Sequence, residues 1–211
     1  YAQRHAAACM GTRLRFADID RLSQDLGAWL QSLGLARGAR VALMMPNLPQ
    51  YMVAIAAVLR AGCVVVNVNP LYTARELEHQ LVDSGAEAII VLENFATTLE
   101  EVVDRTSIRH VVLAAMGDLL GFWKGRLINF AVRHVRKMVP EFRLPCDDGR
   151  SVTFFNDACA RGARMALHRA DLTPDQPFAD GAIDAIDPDL RYRMISEAAY
   201  RRFAERGYED G

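Results

Sequence analysis

MMPNLPQYMVAIAAVLRAGCVVVNVNPLYT, residues 44–73, decides the fold. The apolar run Val41–Met45 that leads into it has the composition of a strand buried on both faces. Pro46 stops that run. Pro49 suits the first turn of a helix, where a missing N–H has no intrahelical acceptor to lose. Tyr51 to Leu59 is almost wholly apolar, which predicts a helix buried nearly all round. Gly62, free to adopt positive φ, is the natural end of that helix. Cys63 to Val68 predicts a second buried strand, closed by Asn69-Pro70. A strand, a helix and a strand in so few residues imply a right-handed parallel crossover.

Upstream, Ala6–Met10 and Leu14–Phe16 flank Gly11-Thr12 and read as a β-hairpin. Ile19, Leu22, Leu26, Trp29, Leu30 and Leu33 then recur at steps of three and four, on one face of a helix. Asp18 and Asp20 favour its first turn and Gly34 its end. Downstream, Thr73 and Glu76 have the spacing of a capping box, in which each side chain satisfies a free backbone N–H of the other. Leu77, Leu81 and Val82 are expected to face inward, with Gly85 ending that helix. Glu87–Leu92 reads as a strand, Phe95–Arg105 as a helix burying Leu99, Val102 and Val103, and Arg109–Ala114 as another strand. Strands thus start near 41, 63, 87 and 109, a spacing that predicts a doubly wound parallel sheet from about Arg40 to Met116. Pro140 to Arg150 reads as a loop, and Val152–Ala166 as a strand start followed by a helix.

Half of the 211 residues are hydrophobic, enough for a real core, and the net charge of −1 gives no electrostatic argument for nucleic acid. Cys9, Cys63, Cys146 and Cys159 show neither a CxxC pair nor metal spacing, and fit reduced thiols of a cytoplasmic protein. No signal peptide is visible, and an opening Tyr1 leaves room for residues upstream. The longest apolar run, Met52–Leu59, is far short of the ~20 residues that span a bilayer.

Several blocks in order, MMPNLPQY, then VVVNVNPLYT, ARELEHQL and DSGA, closely resemble the N-terminal part of bacterial long-chain fatty-acid–CoA ligases, of the adenylate-forming (AMP-binding) superfamily. The resemblance covers about residues 1–174. It implies an α/β fold with a mostly parallel doubly wound sheet, here a partial adenylate-forming domain with an N-terminal hairpin and an appended C-terminal helix. The domain reading is 1–170 for that partial domain, 171–188 for a linker and 189–211 for a helical appendage. Residues 189–211 weakly resemble a short bacterial domain of unknown function, and Leu190, Met194, Ile195, Ala198, Tyr200 and Phe203 predict one amphipathic helix from Pro188 to Arg206.

The resemblance further implies ATP-dependent conversion of a long-chain fatty acid to an acyl-adenylate and then to a coenzyme A thioester. In the complete family enzyme the partners are fatty acid, ATP, Mg²⁺ and coenzyme A. This chain carries no Gly/Ser/Thr-rich phosphate loop, no GxGxxG and no GxxxxGK[ST], so no catalytic, cofactor-binding or metal residue is assigned and inactivity alone is expected. His5, His79, His110, His134 and His168 are scattered, without metal spacing. Glu76 with Glu78, and Glu100 with Glu101, fit capping and solvation. Asn47, Asn67 and Asn69 fall at strand ends, where parallel sheets bind ligands; the other reading is that each satisfies backbone groups in a turn.

One segment outside the phosphate chemistry draws a site reading. Between Phe122 and Val139, Lys124, Arg126, Arg133, Arg136 and Lys137 occur with no acid among them, beside Trp123, Leu127, Ile128, Phe130, Val135 and Met138. Trp123, Lys124, Arg126, Arg133, Arg136 and Lys137 are therefore candidates for a membrane surface, at the inner face of the membrane. The competing reading is a helix that covers the sheet with its apolar side and solvates its basic side. A non-catalytic module, binding a protein or a membrane through this helix or the C-terminal one, is thus the alternative function. Gly117, Gly121 and Gly125 read as a loop into that helix rather than as a close-packing stripe. A half-domain would expose a sheet edge, which adds a homo-oligomer to the expectations.

Overall fold

The computed structural model describes residues 2–144 and 149–168. The linker and C-terminal helix expected over 171–211, and Cys146, lie outside the described residues. The described chain runs β1 (His5–Cys9), β2 (Thr12–Arg15), α1 (Phe16–Ser32), β3 (Arg40–Met44), α2 (Pro49–Arg60), β4 (Val64–Asn67), α3 (Ala74–Ser84), β5 (Ala88–Leu92), α4 (Ala96–Glu100), β6 (His110–Ala114), α5 (Phe122–Phe130), β7 (Ser151–Phe154) and α6 (Phe155–Gly162). β1 and β2 form an antiparallel hairpin turned at Met10 and Gly11, both at positive φ. The other five strands form one parallel sheet in the order β4-β3-β5-β6-β7.

Period-two alternation divides the core in two. Val41, Leu43, Ile90, Leu92, Val112 and Ala114 point to the face covered by α1, α2 and α6, where Leu26, Trp29, Val53, Ala57 and Phe155 meet them. Their neighbours Ala42, Met44, Ile89, Val91, Val111 and Leu113 point to the other face, under Leu77, Leu81 and Leu99 of α3 and α4. Helices on both faces of a parallel sheet make the fold doubly wound, as the strand spacing predicts. β7 extends the sheet beyond the expected limit at Met116.

The local signals hold where they are chemical. Thr73 N–H donates to Glu76 Oε2 at 2.9 Å and Glu76 N–H to Thr73 Oγ1 at 3.4 Å, closing the capping box. Gly85 follows α3 in the left-handed conformation, φ 59°. Arg15 N–H donates to Asp18 at 2.9 Å at the start of α1, which pulls the Asp18 carboxyl below its usual range.

Four expectations are corrected. β4 is not buried on both faces: Val64, Val65 and Val66 are half-buried because β4 is an edge strand, with Cys63 lying buried just before it. α2 is not buried all round, since Met52 and Leu59 are exposed on the side away from β3. Val82 is exposed because it lies about 100° round the helix from Leu81 and about 140° from Leu77, off the buried stripe. The helix expected over Phe95–Arg105 is broken into a 3₁₀ turn at Glu93–Phe95, the short α4 and a second 3₁₀ turn at Val103–Arg105, although Leu99, Val102 and Val103 are buried as expected.

Candidate functional site

The chain order of the parallel strands reverses between β3 and β5, and ligands bind such sheets outside the carboxyl ends at that reversal. The residues leaving those ends are Met45 to Asn47, Glu93 and Asn94, and from β6 Ala115 to Asp118. Of the strand-end asparagines, Asn69 accepts from Leu71 N–H at 3.0 Å, an Asx turn, and Asn67 accepts from Tyr51 O–H at 2.8 Å. Asn47 is exposed. Asn69 thus does the local work of the turn reading, whereas Asn67 meets a side chain of α2 rather than backbone of its own turn.

A buried polar cluster occupies the edge instead. Glu93 is only 4% exposed, and Arg133 grips it from the far side of the edge, with Nη2 2.7 Å from Oε2 and Nε 3.1 and 3.0 Å from the two carboxylate oxygens. Asp118 accepts from Ala115 N–H at 2.7 Å and hydrogen-bonds Asn129, whose own Oδ1 accepts from Gly117 N–H at 2.7 Å. Gln50, fully buried at the start of α2, donates to Ala115 C=O at 2.8 Å. Asn94 donates to Met138 C=O at 2.9 Å. These bonds tie α5 and the turn after it across the ends of β5 and β6. The glycines contribute as well: a Cβ on Gly125 would collide with the Gly117 carbonyl, and one on Gly117 with Gly125. The loop-to-helix reading of this stretch holds, with Gly121 capping α5, but close packing of Gly117 on Gly125 is equally present.

Burial pushes the Asp118 carboxyl up to about 6, the Glu93 charge adding to the rise and the Ala115 N–H, Asn129 and Arg133 opposing it. A folded-state value above the unfolded 3.8 means that the native state holds this proton more tightly. The group's contribution to stability is present below the unfolded value and is lost as pH rises through about 6, a difference on the order of 3 kcal/mol. Asp118→Asn keeps the acceptor and cannot ionise. Urea midpoints at pH 4.5 and pH 7 are expected to show wild type losing ground to this variant as pH rises. A pH-independent gap would mean that Asp118 is ionised throughout.

The basic segment is arranged otherwise than a sheet-covering helix. α5 passes into a π turn, Ala131–Val135, in which Arg136 N–H donates to Ala131 C=O, and Lys137 ends it at φ 49°. Gly125 and Val132 are buried, whereas Phe122, Trp123, Leu127, Phe130, Val135 and Met138 are exposed, Trp123 to 82%. The six sequence candidates separate by environment. Arg133 is committed to Glu93, Lys124 donates to Met10 C=O, and Arg126 lies 5.3 Å over the Phe122 ring. Trp123, Arg136 and Lys137 face outward.

Glu93, Asp118 and Gln50 were not singled out from the sequence. Their signal was a polar residue directly after an apolar strand (Glu93 after Leu92) or at the head of an apolar helix (Gln50). Among the described residues no helix is long and apolar enough to cross a membrane.

Residues 1–139 match the AMP-binding enzyme family model. The chain is 49% identical over 176 residues to a long-chain-fatty-acid–CoA ligase of Escherichia coli O157:H7, covering 83% of this chain and 30% of that protein. It is 52% identical over 155 residues to the ligase of the same name from Haemophilus influenzae, covering 73% and 27%. The chain therefore spans about 30% of the length of the curated relatives it matches. In fold it is similar to the adenylation domain of a carboxylate reductase from Mycobacterium chelonae, with a TM-score of 0.60, 16% identity, and 78% of this chain and 24% of that one covered. A benzoate CoA ligase from Burkholderia xenovorans LB400 gives a TM-score of 0.57 at 16% identity over 82% of this chain and 28% of that one.

Proposed function

The chain belongs to the AMP-binding enzyme family, and from that premise we propose that it contributes the first parallel-sheet unit of a long-chain fatty-acid–CoA ligase. The observation that carries this reading is the 49% identity over 83% of the chain to a ligase of that name. The reaction would convert a fatty acid and ATP to an acyl-adenylate with release of pyrophosphate, and then transfer the acyl group to the coenzyme A thiol with release of AMP, in the cytoplasm or at the inner face of the membrane.

The residues described here do not fit ATP and Mg²⁺, and no step is assigned to them. Adenylation needs N–H groups and hydroxyls around phosphate and a carboxylate open to the metal. At the carboxyl edge Glu93 is closed by Arg133, and Asp118 is turned to the Ala115 N–H and Asn129. The role left to the unit is to form the floor of the fold on which other segments would place the phosphate site.

The test is fatty-acid-dependent ATP–pyrophosphate exchange. The 211-residue chain, folded by circular dichroism, is expected to show none, and residues 1–170 exchanged into the Escherichia coli relative are expected to keep its exchange activity. Activity of the chain alone would overturn the assignment of the phosphate site elsewhere. A folded but silent chimera would overturn the ligase reading.

The exposed apolar side of α5 favours a second reading, in which the chain binds a surface without catalysis.

A further inference from the structure

Ordinary surface helices turn apolar side chains to the core and polar ones to water. α5 and the π turn after it do the reverse. Val132 is buried, but the other inward contacts are polar or backbone: Asn129 to Gly117, Arg133 to Glu93, and Gly125 against Gly117. Their outward residues are large and apolar, with Phe122 and Trp123 packed edge to face at 5.2 Å and Leu127 68% exposed. Burying one such side chain is worth about 1.5–3 kcal/mol, so a contiguous set left in water implies an occupant.

We propose that residues 122–138 are a lipid-surface anchor that binds an anionic phospholipid bilayer beside the carboxyl edge of the sheet. The inference deepens the surface-binding reading and rests on it, independently of ligase activity.

Charge selects the occupant. From Leu119 to Pro140 the chain carries five Lys or Arg and no acid. Arg133 is held by Glu93, which leaves Lys124, Arg126, Arg136 and Lys137 around the apolar side chains. An isologous contact with a second copy would bring these two basic sets together, and like charges at an interface oppose it. Anionic headgroups around an interfacial aromatic cluster satisfy both chemistries at once. The placement has a consequence for the fold. Arg133 reaches the end of β5 through Glu93, and α5 follows the end of β6, so the lipid face and the edge where parallel sheets bind ligands are neighbours.

The two tryptophans make the test direct. Trp29 is 3% exposed and reports the core, whereas Trp123 reports the anchor. The full chain is titrated with phosphatidylcholine vesicles with and without phosphatidylglycerol, and with vesicles carrying brominated acyl chains. Binding to anionic vesicles is expected to shift the emission to the blue and to be quenched by bromine, neither occurring in Trp123→Ser. The fourfold variant Lys124→Gln, Arg126→Gln, Arg136→Gln, Lys137→Gln keeps Arg133 and the apolar side chains, and is expected to bind roughly several hundredfold more weakly. Equal binding to pure phosphatidylcholine, or no binding by folded protein, would overturn the proposal. So would failure of iodide to quench Trp123 without vesicles, because another segment or a second copy would then already cover the face, and sedimentation velocity distinguishes those two. None of these readouts depends on the exchange assay, so the anchor and the ligase reading fail separately.

Discussion

Replacing Gly162 by alanine is expected to lower the stability of the fold by about 3 kcal/mol, at or beyond the upper end of overpacking effects. Gly162 is the last residue of α6 and lies against the backbone of α1. A Cβ there would lie 1.7 Å from the Asp25 carbonyl oxygen and 3.1 Å from Trp29 Cβ. A side chain can rotate away from such an intrusion, but a carbonyl inside a helix cannot. The two helices must separate, and the packing that joins Phe155, Ala158 and Cys159 to Leu26, Trp29 and Leu30 opens with them. In a chain of this size that loss corresponds to a fall in Tm of roughly 10 °C. Differential scanning calorimetry of Gly162→Ala beside Ala160→Ser, a change at an exposed position of the same helix, reads it directly. Equal midpoints would mean that α6 slides along α1 without loss.

Arg133→Ala is expected to destabilise by a similar amount, about 3 kcal/mol, although the residue sits among outward-facing bases in the sequence. Removing the guanidinium strands the Glu93 carboxylate at 4% exposure, and an unpaired buried charge is far more unfavourable than a broken surface pair. The value falls at the low end for buried pairs because Arg133 itself is 39% exposed and partly hydrated. Arg126→Gln, which removes an exposed cation–π contact with Phe122, is expected to change stability by no more than about 0.5 kcal/mol. The cycle closes with Glu93→Gln: in that background the loss of Arg133 is expected to matter much less, because a neutral amide does not require its partner. Additive effects of the two substitutions would show that Arg133 and Glu93 do not act as a pair. Vesicle-binding variants should leave Arg133 intact for the same reason.

The period-two and period-3.6 patterns, the proline and glycine stops, and the Thr73–Glu76 spacing were sufficient for the doubly wound sheet, because each is fixed by residues within a few positions of one another. They were insufficient for α2, β4 and Val82. An apolar residue carries no information on whether another element reaches it, so Met52 and Leu59 stay exposed on α2, and Val66 stays half-buried because β4 is an edge strand. The helix expected over 95–105 kept its buried residues in place and lost its continuity, since burial of Leu99, Val102 and Val103 is compatible with a short helix flanked by 3₁₀ turns as well as with one helix.

The candidate site was less legible than the fold. In the sequence the 122–139 segment is one basic amphipathic stretch, and composition alone does not say which side faces the sheet. The orientation is decided by partners far away in the chain. Glu93, 40 residues before Arg133, takes its guanidinium, and Gly117 takes Asn129 and the backbone of Gly125. Those polar and backbone contacts can form only with the polar side inward, which turns Trp123 and Leu127 to the outside. By itself, then, the sequence determined the family, the strand and helix order and the basic character of this segment, because local spacing and near-neighbour chemistry carry them. The tertiary structure alone decided which basic residue is structural and which face is free, because a buried charge accepts only the partner that the fold brings to it.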